Sequence, residues 1–252
     1  VYQPGSLHPD EYSVEVLEAL NPEVIVVAAY GVILPSRIVN LPALGCLNVH
    51  PSLLPKYRGA APVPAAILNG DDTSGVTLIK LDEGMDTGPI IAQREASVYP
   101  DDTTERLTRR LFEHGATLLI DTLPQWAGGD IVPFPQDEKR ATVTRRLSKK
   151  NGEIDWMHSA PEIERQIRAY YPWPGSYTRW NGKQLKIITA FAVPGSTLEP
   201  GVVFRLADRR VAVGTGGGII LLKELQIAGK QVVDACEFVL GRTDFVGSVL
   251  GF

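Results

Sequence analysis

The sequence is poor in the residues that characterise disulfide-rich, metal-binding and membrane proteins. It has two cysteines, Cys46 and Cys236, and four histidines in 252 residues. Neither type is spaced like the ligands of a zinc or iron site, so no metal is expected. Two distant cysteines give no disulfide framework, which predicts a reducing compartment. The longest apolar run, residues 24–34, has 11 residues and is too short to cross a bilayer, so no membrane partner is expected.

Charge is low overall but unevenly distributed. The formal net charge is −4, made up of −10 over residues 1–139 and +6 over residues 140–252. A basic half joined to an acidic half suggests a polyanionic partner, such as a nucleic acid, for the basic half. The alternative is that both halves are ordinary solvated surfaces.

The first half alternates strand and helix patterns. Apolar runs at Val24–Ala29, Gly45–His50 and Gly75–Leu81 predict buried strands, and the intervening patterns predict helices from Asp10 and after Asp102. This alternation predicts a doubly wound, mostly parallel α/β sheet over residues 1–130.

The second half has a different pattern. Residues 131–147 combine prolines with basic residues and are interpreted as a linker. Over residues 148–252, a helix at Pro161–Ala169 precedes short strand patterns. Asn181-Gly182 separates two of them and predicts a type I′ hairpin turn. A small antiparallel barrel is expected.

Asn48 and His50 are the first candidate site residues. Residues two apart on a strand share a face, and these two end a predicted strand, where open α/β sheets bind ligands. A proline-punctuated loop follows. The alternative for His50 is a histidine that only satisfies local hydrogen bonds at a strand end.

Asp86 follows the next predicted strand, so the sheet can bring its carboxylate beside His50. An amide, an imidazole and a carboxylate, without an activated serine or cysteine, suit direct transfer of an acyl-like group to an amine. Asn48 and His50 can stabilise the oxyanion, while Asp86 orients His50 and accepts the amine proton. The alternative for Asp86 is a turn residue that binds local amides.

Two other motifs are interpreted as structural. Cys46 and His50 lie about 13 Å apart along a strand, beyond the reach of proton transfer, so Cys46 is expected in the core. Residues 214–218 are rich in glycine but lack the spacing of a phosphate-binding loop, and a hairpin turn explains them better.

Three runs of sequence together resemble the formyltetrahydrofolate-dependent formyltransferases. They are Asn48-x-His50-x-Ser52-Leu-Leu-Pro55-x-Tyr-Arg-Gly59-Ala-Ala-Pro62, Gly75-Val-Thr-Leu, and Met85-Asp86-Thr-Gly88. Further motifs at residues 147–149, 154–156 and 167–175 are similar to the methionyl-tRNA formyltransferase branch of the family. The resemblance spans nearly the whole chain.

This resemblance implies a Rossmann-like formyltransferase domain followed by an OB-like barrel that helps to hold tRNA. It implies catalytic roles for Asn48, His50 and Asp86, and 10-formyltetrahydrofolate as co-substrate. It also implies that the loop of Ser52, Leu53, Leu54 and Pro55 contacts the folate. Family members begin with a further βα portion that is absent here, so activity is expected of the full-length protein rather than of this piece.

The expected reaction is formyl transfer to the α-amine of initiator methionyl-tRNA, in the bacterial cytoplasm or an organellar matrix, by a monomer. Arg145, Arg146, Lys149 and Lys150 are candidate tRNA contacts, because they are basic residues beside the predicted domain junction. One alternative is another user of formyltetrahydrofolate, such as a hydrolase or a nucleotide-sugar formyltransferase. The other is a tRNA-binding module without activity.

Overall fold

The computed structural model describes residues 12–31, 34–193, 195 and 198–251, and these form two compact units. The predicted helix start at Asp10 lies outside the described residues. The first unit comprises residues up to 63 together with 72–98 and 107–146. The second comprises residues 64–71, 99–106 and 147 onwards.

The first part of the chain alternates helices and strands, as predicted. The elements up to the domain junction are α1 (Tyr12–Ala19), β1 (Ile25–Ala28), α2 (Ser36–Val39), β2 (Cys46–His50), β3 (Arg58–Gly59), α3 (Pro62–Asn69), β4 (Thr73–Lys80), β5 (Ile90–Ser97), α4 (Thr104–Gly128) and β6 (Val143–Thr144).

The main sheet of the first unit has the order β1-β2-β4-β5, and only β1 and β2 run parallel. β4 is antiparallel to β2, with His50 opposite Thr77, and β5 is antiparallel to β4. Among the described strands, this corrects the expectation of a mostly parallel sheet. That expectation came from the alternation of strand and helix patterns, and one of the strand patterns was the apolar run of β4, which has six consecutive buried residues. Such a run reports burial of both faces and does not encode strand direction.

Helix α4 covers one face of this sheet. Leu118 joins Leu47, Val49, Val76 and Leu78 in one apolar cluster. The helix approaches closely at Gly115, where a Cβ atom would lie 2.5 Å from Cγ1 of Val49. Since Val49 lies between Asn48 and His50, this contact fixes the strand that carries both candidate residues.

The segment predicted as a linker, residues 131–147, makes specific contacts within the first unit. Phe134 exchanges backbone hydrogen bonds with Ile90 at 2.8 and 3.0 Å. β6 pairs in parallel with β3, with Thr144 opposite Gly59. The described residues 134–144 are therefore part of the structure around the candidate site.

The second unit is built on a six-stranded antiparallel sheet that curls into a half-barrel, consistent with the predicted barrel-like domain. Its strand order is β7-β8-β11-β10-β9, with β12 paired to β11. The elements are α5 (Ala160–Ala169), β7 (Ser176–Trp180), β8 (Lys183–Val193), β9 (Val203–Arg205), β10 (Val211–Gly214), β11 (Ile219–Ile227), β12 (Val233–Asp234) and α6 (Ala235–Leu240).

Two local predictions in this unit are confirmed. β7 and β8 form a hairpin around Asn181 and Gly182, whose φ values of 49° and 69° are those a type I′ turn requires. Residues 215–218 form the turn between β10 and β11, where the Thr215 hydroxyl donates to the carbonyl oxygen of Gly218 at 2.8 Å.

Within the part of the chain described, no helix has both the length and the apolar character to cross a bilayer.

Candidate active site

Asn48 and His50 project from the same face of β2, as their spacing predicts. His50 is buried and Asn48 is half-buried. The strand is the second of four in the sheet and is paired on both sides, so its backbone holds the two side chains at a fixed separation.

Asp86 completes a cluster with these two residues. Its Oδ1 atom accepts a hydrogen bond from the Asn48 amide at 3.2 Å and lies 3.5 Å from Nδ1 of His50. The predicted proximity of the three side chains is therefore present. The route differs from the expectation, because β4 ends beside Leu47 at the amino-terminal part of β2. The loop of residues 81–89 must then fold over the face of β2 to bring Asp86 to Asn48 and His50.

A hydrogen bond to the backbone fixes the orientation of the His50 ring. Nε2 lies 2.9 Å from the backbone carbonyl oxygen of Tyr57. Since a carbonyl oxygen can only accept, Nε2 carries a hydrogen and donates it. Nδ1 is therefore the imidazole nitrogen that faces Asp86.

A backbone donor that the sequence analysis missed holds the other carboxylate oxygen. The N–H of Gly59 donates to Oδ2 of Asp86 at 2.8 Å. Gly59 has a φ of +95°, and a Cβ atom there would lie 2.4 Å from the carbonyl oxygen of Thr144. Gly59 lies within the family motif, but its role depends on pairing with β6, 85 positions further along the chain, which no local pattern shows.

The predicted folate loop is tightly held at its buried positions. Ser52 is buried, and its hydroxyl donates to the carbonyl oxygen of Lys56 at 2.6 Å. The side chain of Leu54 is buried in an apolar cluster, and its N–H donates to the Thr77 hydroxyl at 3.0 Å. Leu53 and Pro55 are half-exposed. Only these two therefore present side-chain surface to a ligand, whereas Ser52 and Leu54 keep the loop in place.

Cys46 has the properties of a core residue. It is fully buried, and burial raises the pKa of its thiol to about 11. A thiol with this pKa is almost entirely protonated at neutral pH and is a poor nucleophile. The described residues contain no group of three or more His, Cys, Asp and Glu side chains placed to hold a metal ion.

The basic residues at the domain junction are all exposed. Arg145 and Arg146 follow β6, and Lys149 and Lys150 begin a short 3₁₀ turn at Lys149–Gly152. None of the four forms an ion pair with a described acidic residue. Their charges are therefore available to an external anion.

Comparison with known families identifies both parts of the chain. The model of the formyl transferase family matches residues 2–123, and that of the formyl transferase C-terminal domain matches residues 146–243. A methionyl-tRNA formyltransferase of Chloroflexus aggregans is 46% identical over 243 residues, covering 96% of this chain and 78% of that protein.

Solved structures share the fold. The methionyl-tRNA formyltransferase of Clostridium thermocellum matches with a TM-score of 0.59 at 22% identity, over 90% of this chain and 85% of that one. HypX of Aquifex aeolicus, in complex with tetrahydrofolic acid, matches with a TM-score of 0.73 at 22% identity. The match covers 96% of this chain and 42% of that one.

The contacts of Gly59 generate a stability prediction. Gly59→Ala would place a methyl group against the Thr144 carbonyl oxygen, in addition to the cost of a positive φ. We expect a loss of about 2–5 kcal/mol in the free energy of unfolding, from about 1–2 for the backbone conformation and about 1–3 for overpacking. Urea denaturation of the two proteins measures it.

Gly129→Ala is the matched control. Gly129 also has a positive φ, +78°, but no described atom lies within 4 Å of the point that an added Cβ atom would occupy. It should lose only the backbone part, about 1–2 kcal/mol. Equal losses in the two variants would contradict the close packing of Gly59 against β6.

Proposed function

The chain belongs to the formyl transferase family, and from this premise we propose that it formylates methionyl-tRNA with 10-formyltetrahydrofolate as formyl donor. The observation that carries the proposal is the similarity to methionyl-tRNA formyltransferases along 96% of the chain, across both domains. The cluster of Asn48, His50 and Asp86 supports it, because its chemistry suits acyl transfer to an amine.

The proposed reaction begins when the α-amine of the methionyl group attacks the formyl carbon. A C–N bond forms and the carbonyl oxygen becomes an oxyanion. The carbonyl group then re-forms, and the bond from the formyl carbon to the folate nitrogen breaks. The folate nitrogen keeps the electron pair of that bond and takes up one proton, which balances the proton that the amine loses. The site residues act on the two charges that develop, the negative oxygen and the positive amine.

Asn48 and His50 stabilise the oxyanion in this proposal. The Asn48 amide has two hydrogens, of which the described contact with Asp86 uses one. The second can be donated to the oxyanion. Nδ1 of His50 faces the same region and donates to the oxyanion when it carries a hydrogen, as in the imidazolium form. Nε2 remains bound to the Tyr57 carbonyl oxygen and holds the ring in this orientation.

Asp86 accepts the proton that the amine loses on attack. Its Oδ2 atom is held by the Gly59 N–H, so Oδ1 is the oxygen directed towards Asn48 and His50. The Asp86 side chain is 15% exposed and retains two acceptor oxygens. It therefore suits the role of a general base that is positioned from one side and reacts on the other.

The loop at Ser52, Leu53, Leu54 and Pro55 is proposed as part of the folate site. The half-exposed apolar surfaces of Leu53 and Pro55 suit packing against an aromatic ring system, and the hydrogen bonds of Ser52 and Leu54 preorganise the loop.

The similar bacterial proteins support a cytoplasmic enzyme. A monomer is proposed and can be checked by sedimentation equilibrium.

Asp86→Asn tests the proposed base. The change keeps the shape of the side chain and removes its ability to take up a proton, so kcat should fall by at least about 10²-fold with a smaller effect on folate affinity. Formylation of methionyl-tRNA by the full-length protein, with labelled 10-formyltetrahydrofolate, measures both parameters.

Glu83→Gln provides the control for that variant. Glu83 lies in the same loop, is exposed and carries the same charge, but its described contact is with Ser36. Its kcat should stay within about threefold of the parent, since surface charge changes have small effects. Near-normal turnover of Asp86→Asn would remove Asp86 from the mechanism.

The four exposed basic residues at the domain junction are proposed to bind tRNA phosphates. Replacing Arg145, Arg146, Lys149 and Lys150 with alanine should raise KM for methionyl-tRNA at moderate salt and leave kcat at saturating tRNA largely unchanged. Each lost phosphate contact should flatten the log–log salt dependence of tRNA binding by roughly one unit.

A second quadruple variant with the same change in net charge serves as the control. Arg179, Lys183, Arg205 and Lys230 are also exposed and also lie in the basic half of the chain. If both variants kept the salt slope of the parent, or both lost it equally, specific phosphate contacts by the junction residues would be contradicted.

A further inference from the structure

The conformation of Asp86 requires support from outside its own loop. Asp86 has a φ of +55°, a region that residues other than glycine seldom occupy. It lies in the irregular segment 81–89, between β4 and β5. Aspartate tolerates this backbone region better than most residues, but a loop without regular hydrogen bonding does not by itself fix a carboxylate against Asn48 and His50.

The side chain of Gln136 supplies this support. Its amide nitrogen donates to the backbone carbonyl oxygen of Asp86 at 2.7 Å and to that of Gly88 at 2.8 Å. Both amide hydrogens are therefore used on the two carbonyl groups that flank Thr87. Gln136 is 9% exposed, so water competes little for these hydrogen bonds.

Arg58 fixes the orientation of the Gln136 amide. The Nε atom of Arg58 donates to the Gln136 side-chain oxygen at 3.0 Å, and an arginine can only donate. The guanidinium is held in turn by two hydrogen bonds from its terminal nitrogens to Glu138, at 2.9 and 2.7 Å. Hydrogen bonding to Glu138 raises the pKa of Arg58, which therefore stays charged at all ordinary pH values.

These contacts close a ring that begins and ends at Asp86. The Asp86 carbonyl group binds Gln136, Gln136 binds Arg58, and the residue after Arg58 is Gly59, whose N–H binds the Asp86 carboxylate. The backbone and the side chain of the same residue are thus held by one connected network.

We propose that Gln136 is a positioning residue for the formyl transfer, which holds the loop of Asp86 so that its carboxylate faces Asn48 and His50. The inference rests on the proposed function of Asp86. Gln136 does not touch the reacting atoms, and its effect on the reaction is through the placement of the base. An error of about 1 Å in such a group can cost up to about 10²-fold in rate.

Two substitutions separate the hydrogen bonds from the packing of this side chain. Gln136→Met keeps most of the volume and removes both donors. Gln136→Glu keeps the shape of the side chain and an oxygen that can accept from Arg58. A carboxylate has no donor and a carboxylic acid has only one, so glutamate cannot donate to the carbonyl groups of both Asp86 and Gly88.

Gln166→Met is the matched control. Gln166 is also 9% exposed, and its amide nitrogen donates to two backbone carbonyl oxygens, those of Asn151 and Glu153, within the second unit. Thermal unfolding of the three full-length variants shows whether Gln136→Met and Gln166→Met cost comparable stability.

Two readouts test the proposal. The first is hydrogen exchange of the Gly59 amide, followed by NMR, because this amide binds the Asp86 carboxylate and reports its position. It should exchange at least about tenfold faster in both Gln136 variants, as expected from the loss of a hydrogen bond, and at the parent rate in Gln166→Met. The second is formylation kinetics, in which both Gln136 variants should lose about 10- to 100-fold in kcat with little change in KM for the folate.

If the Gly59 amide exchanged at the same rate in the Gln136 variants as in the parent, the positioning role would be overturned. It would also be overturned if the Gln136 variants lost no more kcat than Gln166→Met does. Faster exchange with unchanged kcat would also overturn it, and Asp86→Asn would then identify the cause. If Asp86→Asn is active as well, the proposed function of Asp86 has failed; if it is inactive, only the role of Gln136 has failed.

Discussion

The carboxylate of Asp86 is the group on which the arrangement of the site depends. It binds Asn48 on β2 and the Gly59 N–H on β3, and it lies beside His50, so it connects three segments that are separate in the sequence. A largely buried carboxylate is stable only when its oxygens are hydrogen-bonded, and each oxygen of Asp86 accepts one hydrogen bond, from Asn48 and from the Gly59 N–H. The same contacts that satisfy this requirement leave Oδ1 directed at the proposed site of proton transfer.

This arrangement makes residues 134–144 part of the structure around the candidate site, although they resemble a linker in composition. Phe134 extends the sheet beside β5, and Gln136 holds the loop of Asp86. Thr144 binds the backbone on both sides of Gly59, accepting from Ala61 N–H and donating to the Arg58 carbonyl oxygen. A change in this segment would therefore be expected to affect the site through these hydrogen bonds.

Much of the site was predictable from local patterns, and the remainder depended on contacts distant in sequence. The shared face of Asn48 and His50 follows from the period of a strand, and the hairpin at Asn181 follows from turn geometry. The direction of β4 was not predictable, because burial of both faces gives the same apolar run in either direction. The role of Gln136 was not predictable either, since a glutamine between prolines and acidic residues has no local signature, and its partners lie about 50 to 80 positions away.

Because Oδ1 of Asp86 lies 3.5 Å from Nδ1 of His50, the roles proposed for the two residues depend on each other. The central claim is that they act as one unit during formyl transfer, and a double-mutant cycle on kcat tests it most directly. Asp86→Asn, His50→Ala and the double variant of the full-length protein are assayed at saturating methionyl-tRNA and 10-formyltetrahydrofolate. If the residues act together, each single change removes most of the shared effect, about 10²–10³-fold, and the double variant is little slower than the slower single variant. If the two losses multiply in the double variant, the residues act independently and the account is contradicted.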